Sequence, residues 1–363
     1  MLVAMSGGVD SSVAAALLAA EGHEVVGATL KLWGGPSSSG CCSVADVDDA
    51  RRVAQQLGID HHVFDLTDDF ERDVVGPYVA AHAAGRTPNP CVECNRHVKF
   101  DRLLARARRL GFDRLATGHH ARVVERCGRW QLRRGADALK DQSYVLSMLG
   151  QHQLADVVLP VGHLTKAQVR TEAARLGLRT AAKPDSQDVC FIHDASGRRG
   201  FLAERIELHP GTVVDVESGE PLGEVDAVEL VTVGQRRGVG GRGRRRYAVA
   251  VDVPGRTVTV AGAEAASVDE VVLEPGAVTW VDAPLADGAV AVAQLSAHGR
   301  PVACTVRVEV GGAWACRFSS PQRPVAPGQT VALYAAGDPD AVVGGGIAAL
   351  GRRLGGSPGM APA

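Results

Sequence analysis

Ser6-Gly7-Gly8-Val9-Asp10-Ser11-Ser12 follows the apolar run Leu2-Val3-Ala4-Met5 and leads into Val13-Ala14-Ala15-Ala16-Leu17-Leu18. A short apolar strand, a glycine turn and an alanine-rich helix start stand in immediate succession. This geometry makes an anion site. Gly7 and Gly8 let the backbone come up to a phosphate with no Cβ in the way. The unpaired amides of the first helical turn point at the bound oxygens. Ser11 and Ser12 add hydroxyl donors, and Asp10 either caps the helix or holds a cation through the phosphate. The loop contains no lysine, which separates it from the Walker A type.

Strand and helix signals alternate outward from this loop. Residues 25–30 read as a buried strand and residues 46–57 as a helix stopped by Gly58. Residues 62–66 read as the next strand, with Thr67 or Asp68 placed to cap the helix after it. Residues 98–110 form an amphipathic helix with basic exposed positions, closed by Gly111, and residues 114–117 a further strand. The order predicts an α/β domain over residues 1–195, a Rossmann-like, doubly wound parallel sheet. Ligands of such sheets sit at the carboxyl ends of the strands, where the loop lies.

Beyond this the texture changes. Residues 211–215, 247–251 and 257–260 are valine-rich strands between close turns, which predicts a small β-rich domain over residues 196–268. A second β series, with strands near 289–295, 304–310 and 330–334, predicts a C-terminal β-barrel over residues 269–336. Residues 337–363 are rich in glycine, alanine and proline and are expected to be a mobile tail.

The 363 residues suffice for two or three domains. A net charge of −2 gives no global field to draw in nucleic acid, so RNA contact needs a local patch. Arg236, Arg237, Arg242, Arg244, Arg245 and Arg246 crowd one glycine-broken stretch, and arginine forks suit phosphates. The eight cysteines are unevenly spaced, unlike a secreted disulfide framework. No stretch has the length of a membrane-spanning helix, and a cleaved leader would remove the loop. A reducing cytoplasm is the expected home, and it leaves cysteines available for chemistry.

Two cysteine segments stand out. In Arg86-Thr87-Pro88-Asn89-Pro90-Cys91-Val92-Glu93-Cys94-Asn95-Arg96-His97-Val98-Lys99, the prolines hold the chain extended before a helix. Cys94 falls near the start of that helix beside Arg96, His97 and Lys99, and positive charge with the helix dipole favours a thiolate. Cys91 and Cys94 also form a C-x-x-C pair, open to a redox role, half a zinc site or half an iron–sulfur site. Cys41-Cys42 or nearby histidines would have to complete a metal set. In Lys183-Pro184-Asp185-Ser186-Gln187-Asp188-Val189-Cys190-Phe191-Ile192, Cys190 taken alone reads as a core cysteine. Cys127, Cys304 and Cys316 read as structural.

Taken in order, the three stretches resemble the tRNA-specific 2-thiouridylase family of PP-loop ATP pyrophosphatases, which split ATP between the α- and β-phosphates to adenylate a substrate. Ala116-Thr117-Gly118-His119-His120, Lys140-Asp141-Gln142-Ser143-Tyr144, Gly234-Gln235-Arg236-Arg237-Gly238 and Pro327-Gly328-Gln329 extend the likeness to about residue 335. The resemblance implies an ATP site of Ala4, Met5, Ser6, Gly7, Gly8, Val9, Asp10 and Ser11, with Leu30 and Gly118. It implies Cys94 as nucleophile and Cys190 as persulfide carrier, the two closing a transient disulfide. It implies tRNA contacts at Asn89, Pro90, Cys91, His119, Lys140, Asp141, Gln142 and Gln329. ATP, Mg2+, tRNA and a cysteine desulfurase or sulfur-relay protein as persulfide donor are the implied cofactors and partners, with no membrane.

Two positions depart from the family. Cys91 stands where the family often carries an aspartate for acid–base work, and residues 295–300 replace an Arg-Tyr pair near the tRNA. Three rival readings explain less or different features. A PP-loop synthetase acting on a small molecule leaves Cys94, Cys190 and the β domains idle. A thiolase with a cluster on Cys91 and Cys94 uses the C-x-x-C pair. A nucleotide-gated RNA-binding module with a zinc site would bind tRNA without releasing AMP.

Overall fold

The computed structural model describes residues 1–33, 43–185, 189–192, 196–240 and 245–354. The strands of the first half are β1 (Leu2–Ala4), β2 (Val26–Lys31), β3 (Asp60–Asp65), β4 (Leu115–Thr117), β5 (Ala121–Arg126), β6 (Arg129–Arg134) and β7 (Val157–Val158). Five of them form one sheet in the order β3-β2-β1-β4-β7, all parallel. β1 lies at the centre, with β2 on one side and β4 on the other. The chain leaving β1 therefore opens at the point where strand order reverses, the usual ligand position in such sheets.

Helices cover both faces. α1 (Val9–Ala20) and α2 (Val44–Leu57) share one apolar cluster with Val3, Met5 and Val169. α1 buries Ala14, Ala15 and Ala16, whose small side chains allow close approach to the sheet. The Ser43 hydroxyl caps α2 by accepting the Asp46 N–H at 3.1 Å, and Gly58 ends it at φ +69°. The next helix departs from expectation at its start. Neither Thr67 nor Asp68 caps it: the N-cap position is Leu66, and the Asp65 carboxylate before it accepts both the Thr67 N–H at 3.1 Å and the Thr67 hydroxyl at 2.7 Å.

β8 (Gly211–Asp215), β9 (Pro221–Val225), β10 (Tyr247–Asp252) and β11 (Thr257–Ala261) form a separate sheet ordered β10-β11-β8-β9 around a valine core. The C-terminal strands are β12 (Val268–Leu273), β13 (Thr279–Trp280), β14 (Val290–Gln294), β15 (Val302–Val308), β16 (Trp314–Gln322), β17 (Thr330–Ala335) and β18 (Asp338–Arg352). The circuit β12-β16-β15-β14-β17-β18 closes on itself through an antiparallel β12–β18 pairing, giving a six-stranded barrel. The α/β class, the parallel sheet and the barrel are those the sequence predicts.

The expected mobile tail is corrected over its first part. Residues 338–352 are β18, which pairs with β12, β13 and β17 and completes the barrel. Its glycines serve contact. A Cβ on Gly344 would sit 2.5 Å from the Thr279 carbonyl, and one on Gly345 2.6 Å from the Ser147 hydroxyl. The β5–β6 hairpin also crosses domains, because β6 pairs with β18 and Arg133 holds Asp338 through two hydrogen bonds of 2.6 and 2.9 Å. Among the described residues no helix is long and apolar enough to cross a membrane.

Candidate active site

The loop after β1 is tied down from several sides. Met5 N–H donates to the Ala28 carbonyl at 2.8 Å, and the Thr29 hydroxyl donates to the Met5 carbonyl at 2.7 Å. These bonds lock the end of β1 to β2, one residue before the buried Leu30. Gly7 has φ +72°, and a Cβ there would lie 2.2 Å from the Asp46 carbonyl oxygen. Gly8 adopts ordinary extended backbone (φ −91°, ψ 164°), so a Cβ would meet nothing closer than the Ser6 hydroxyl at 3.5 Å. The two glycines thus do different work. Gly7 lets the loop press on α2, and Gly8 keeps the helix mouth open. The Ser11 and Ser12 hydroxyls both donate to the Gly8 carbonyl, at 3.2 and 2.8 Å, so they brace the loop. Gly118 closes the opposite wall, since a Cβ there would sit 2.5 Å from the Ser11 nitrogen.

The loop holds no lysine, yet the fold brings two to it. Lys166 Nζ donates to both Asp10 oxygens at 2.8 and 2.7 Å and contacts Asp185 at 2.9 Å. Lys183 Nζ donates to the Gly7 carbonyl at 3.0 Å, to Asp46 at 2.6 Å and to Asp49 at 2.8 Å. Asp185 also receives Lys140 and Arg170, each at 2.7 Å. Burial would raise the Asp10 carboxyl, but hydrogen bonds from His120 and Lys166 outweigh it and hold the group below its ordinary value. Burial opposes Asp185 in the same way, and its lysine partners depress it strongly. Both carboxylates are therefore charged near neutrality. Lys166, Arg170, Asp46 and Asp49 were not legible as site residues, because nothing local in the sequence ties them to the loop.

The Cys94 segment is clasped by the barrel. Thr87 N–H donates to the Pro327 carbonyl at 2.8 Å, and Gln329 Nε2 donates to the Thr87 carbonyl at 2.6 Å. Between them Gly328, at φ +92°, lies against Thr87 and Pro88. The Asn89 side chain then caps the helix Pro90–Glu93 by accepting the Cys91 N–H at 3.1 Å. A wider, π-type turn runs over Cys94–Leu103, a form that recurs at functional sites. Asn95 donates to the Val145 carbonyl at 3.1 Å, and the Tyr144 hydroxyl to the Thr330 carbonyl at 2.8 Å. Cys91 is exposed and Cys94 buried. Glu93 modifies the expected charge around Cys94, since it lies 3.2 Å from His97 and 4.0 Å from Arg96. Cys190 is half-buried and packs on the same apolar cluster that contains Cys94, together with Phe70, Tyr78 and Phe191.

The remaining sequence-chosen residues are placed as follows. Lys140 is half-exposed and paired with Asp185. Asp141 is nearly enclosed and accepts from Gly135 N–H, Ser143 N–H, the Ser143 hydroxyl and Arg134 at 2.8–3.0 Å. Gln142 accepts the His120 N–H at 2.8 Å. His119 is buried against Phe100 and bonded to the Thr117 hydroxyl at 2.7 Å, and burial pushes its pKa well below the ordinary value. His120 bonds Asp10 through Nε2 at 2.9 Å, while its buried Nδ1 has no hydrogen-bond partner among the described residues. Of the arginine stretch, Arg236, Arg237 and Arg245 are exposed and Arg246 pairs with Asp215. Arg242, Arg244, Cys41, Cys42 and Ser186–Asp188 lie outside the described residues. Among the described residues no group of three or more His, Cys, Asp or Glu side chains could hold a metal by itself.

Three family models match the chain in succession. They are the tRNA methyl transferase HUP domain over residues 1–194, the tRNA methyl transferase PRC-barrel domain over residues 199–262 and the aminomethyltransferase beta-barrel domain over residues 273–348. The chain is 46% identical over 354 residues to the tRNA-specific 2-thiouridylase MnmA of Chloroflexus aggregans, covering 95% of this chain and 97% of that protein. It is 47% identical over 350 residues to the protein of the same name from Mycolicibacterium paratuberculosis, covering 94% and 95%. For the Thermobifida fusca protein of that name the identity is 44% over 351 residues, covering 95% and 94%. The chain belongs to the tRNA-specific 2-thiouridylase family.

Proposed function

We propose that this protein replaces the C2 oxygen of the wobble uridine of tRNA with sulfur, at the expense of ATP. One observation carries the reading. In a chain of this family, Cys94 is buried in, and Cys190 packs on, one core cluster beside the sheet whose central strand feeds the glycine loop. The loop, with Leu30 and Gly118, would hold ATP. The C2 carbonyl is a poor electrophile with a poor leaving group, so the uridine oxygen first attacks the α-phosphate and pyrophosphate departs. The base then carries AMP as its leaving group. Mg2+ would be held chiefly by the phosphate oxygens, because Lys166 and His120 already occupy both Asp10 oxygens. When bound, Mg2+ would neutralise phosphate charge.

A cysteine desulfurase or sulfur-relay protein would load Cys190 as a persulfide. Either the terminal sulfur attacks C2 and Cys94 thiolate then attacks Cys190 Sγ, breaking the S–S bond and leaving sulfur on C2, or Cys94 first attacks Cys190 Sγ and frees sulfide for that attack. AMP leaves in both routes, and Cys94 and Cys190 finish as a disulfide that a thiol must reduce. The uridine has to be splayed from the anticodon stack to reach the site. Asn89, Pro90, Cys91, His119, Lys140, Asp141, Gln142 and Gln329 are the proposed tRNA-facing set. The enclosed members, His119 and Asp141, would act by shaping the surface that Lys140 and Gln142 present.

The test is mass spectrometry of nucleosides from unmodified tRNA incubated with the protein, ATP, Mg2+ and a persulfide donor. A sulfur-for-oxygen mass gain at the wobble uridine is expected for the wild type and none for Cys94→Ser or Cys190→Ser, with tRNA binding kept. Thiolation by either variant removes that cysteine from the scheme.

A further inference from the structure

We infer that Lys166 supplies the phosphate-binding cation that the glycine loop itself lacks, reaching the nucleotide from a separate helix. The inference rests on the nucleotide reading of that loop. Lys166 is the first residue of the helix Lys166–Arg175, and its placement is rigid. Thr165 and Gln168 cap that helix reciprocally, with Thr165 N–H donating to Gln168 Oε1 at 2.8 Å. The Lys166 N–H donates to Asp137 at 2.9 Å. The ammonium projects to the N-terminus of α1 and spends its three donors on carboxylate oxygens, two of Asp10 and one of Asp185, all within 2.7–2.9 Å.

The loop's neighbours make this arrangement exchangeable. A phosphate at the α1 amides would place new negative charge beside Asp10, and Lys166 is the cation already touching Asp10. It can keep Asp10 and turn its third donor from Asp185 to a phosphate oxygen. Asp185 is not stranded by that exchange, because Lys140 and Arg170 stay on it at 2.7 Å each. Lys183 has no such freedom. Its ammonium is fixed between the Gly7 carbonyl, Asp46 and Asp49, and Arg179 holds Asp49 from outside at 2.9 Å. Lys183 therefore fastens the loop to α2, and Lys166 faces the ligand.

Calorimetric titration of the full-length protein with Mg2+ and α,β-methylene ATP, and separately with adenosine, tests the assignment. Wild type should prefer the triphosphate. Lys166→Met should lose about ten- to a hundred-fold in affinity for the ATP analogue, the worth of a charge-assisted hydrogen bond, while adenosine affinity stays within about twofold. Lys166→Arg should recover most of the loss. Lys166→Met with wild-type preference for the triphosphate overturns the inference. So does an equal loss for both ligands in Lys166→Met and Lys166→Arg, which marks a structural strap. A wild type that binds the ATP analogue no better than adenosine overturns the loop reading itself, and the inference falls with it.

Discussion

Gly7→Ala should damage the fold, and Gly8→Ala, one residue on, should spare it. Gly7 sits at φ +72°, where an L-residue costs about 1–2 kcal/mol. Its new methyl would stand 2.2 Å from the Asp46 carbonyl oxygen and 2.9 Å from the Asp46 Cα. Both atoms belong to the first turn of α2, and the Asp46 carboxylate is pinned by Lys183 at 2.6 Å. The backbone must shift to admit the methyl, at about 1–3 kcal/mol for overpacking. Together the loss is about 2–5 kcal/mol. Gly8 has extended backbone and a nearest neighbour at 3.5 Å, so Gly8→Ala should stay within about 0.5 kcal/mol of wild type. It should weaken nucleotide binding all the same, because the methyl stands at the mouth of α1. Urea denaturation midpoints with nucleotide titrations on both variants separate the two roles. A Gly7→Ala protein as stable as wild type, or a Gly8→Ala protein as damaged as Gly7→Ala, refutes the reasoning.

Three further outcomes are expected. Burial pushes His82 down to about 4, against the hydrogen bond it gives the Glu229 carbonyl and with help from Arg198. Between that value and the ordinary one near 6.5 the unfolded chain binds more protons. The contribution is therefore complete above about pH 6.5 and is lost toward pH 4, about 3 kcal/mol in all. His82→Gln should flatten the fall of the denaturation midpoint across that window, and an unchanged slope would contradict the assignment. Gln329→Glu should destabilise more than Gln329→Ala, by about 1–3 kcal/mol, because it turns a carboxylate on the Thr87 carbonyl. Equal melting of the two variants would show that the clasp is not formed. In native protein iodoacetamide should label the exposed Cys127 and leave Cys304 and Cys316 protected until denaturation, and fast labelling of that pair would contradict the barrel core.

What could be read from the chain was what is local in it. The glycine loop, the parallel strands around it and the capped helices are each set by a few adjacent residues, and they lie where periodicity puts them. The start of the Cys94 helix was misread: the prolines were expected to hold the chain extended before it, whereas Pro90 is its first residue and the Asn89 side chain its cap. Lys166 was not legible, because its relation to Asp10 spans 156 positions and exists only after the sheet has formed. β18 was misread for a different cause. Gly344, Gly345 and Gly346 look like flexible linker, but they are small because Trp280, Ser147 and Leu273 press on them. Composition reports the absence of side chains, and only packing tells whether the space is empty or occupied. The arginine cluster shows the converse. Its charge was plain in sequence, while the partner that claims Arg246, Asp215, comes from β8.

The most direct test of the central claim follows the oxygen that sulfur displaces. Transfer RNA carrying a heavy oxygen isotope at C2 of the wobble uridine is thiolated in a single turnover with ATP and persulfide, and the AMP released is weighed. If the base is adenylated, the heavy oxygen leaves on the AMP phosphate in step with 2-thiouridine formation. Unlabelled AMP alongside 2-thiouridine would show that ATP is cleaved elsewhere, and the account of this site would be wrong.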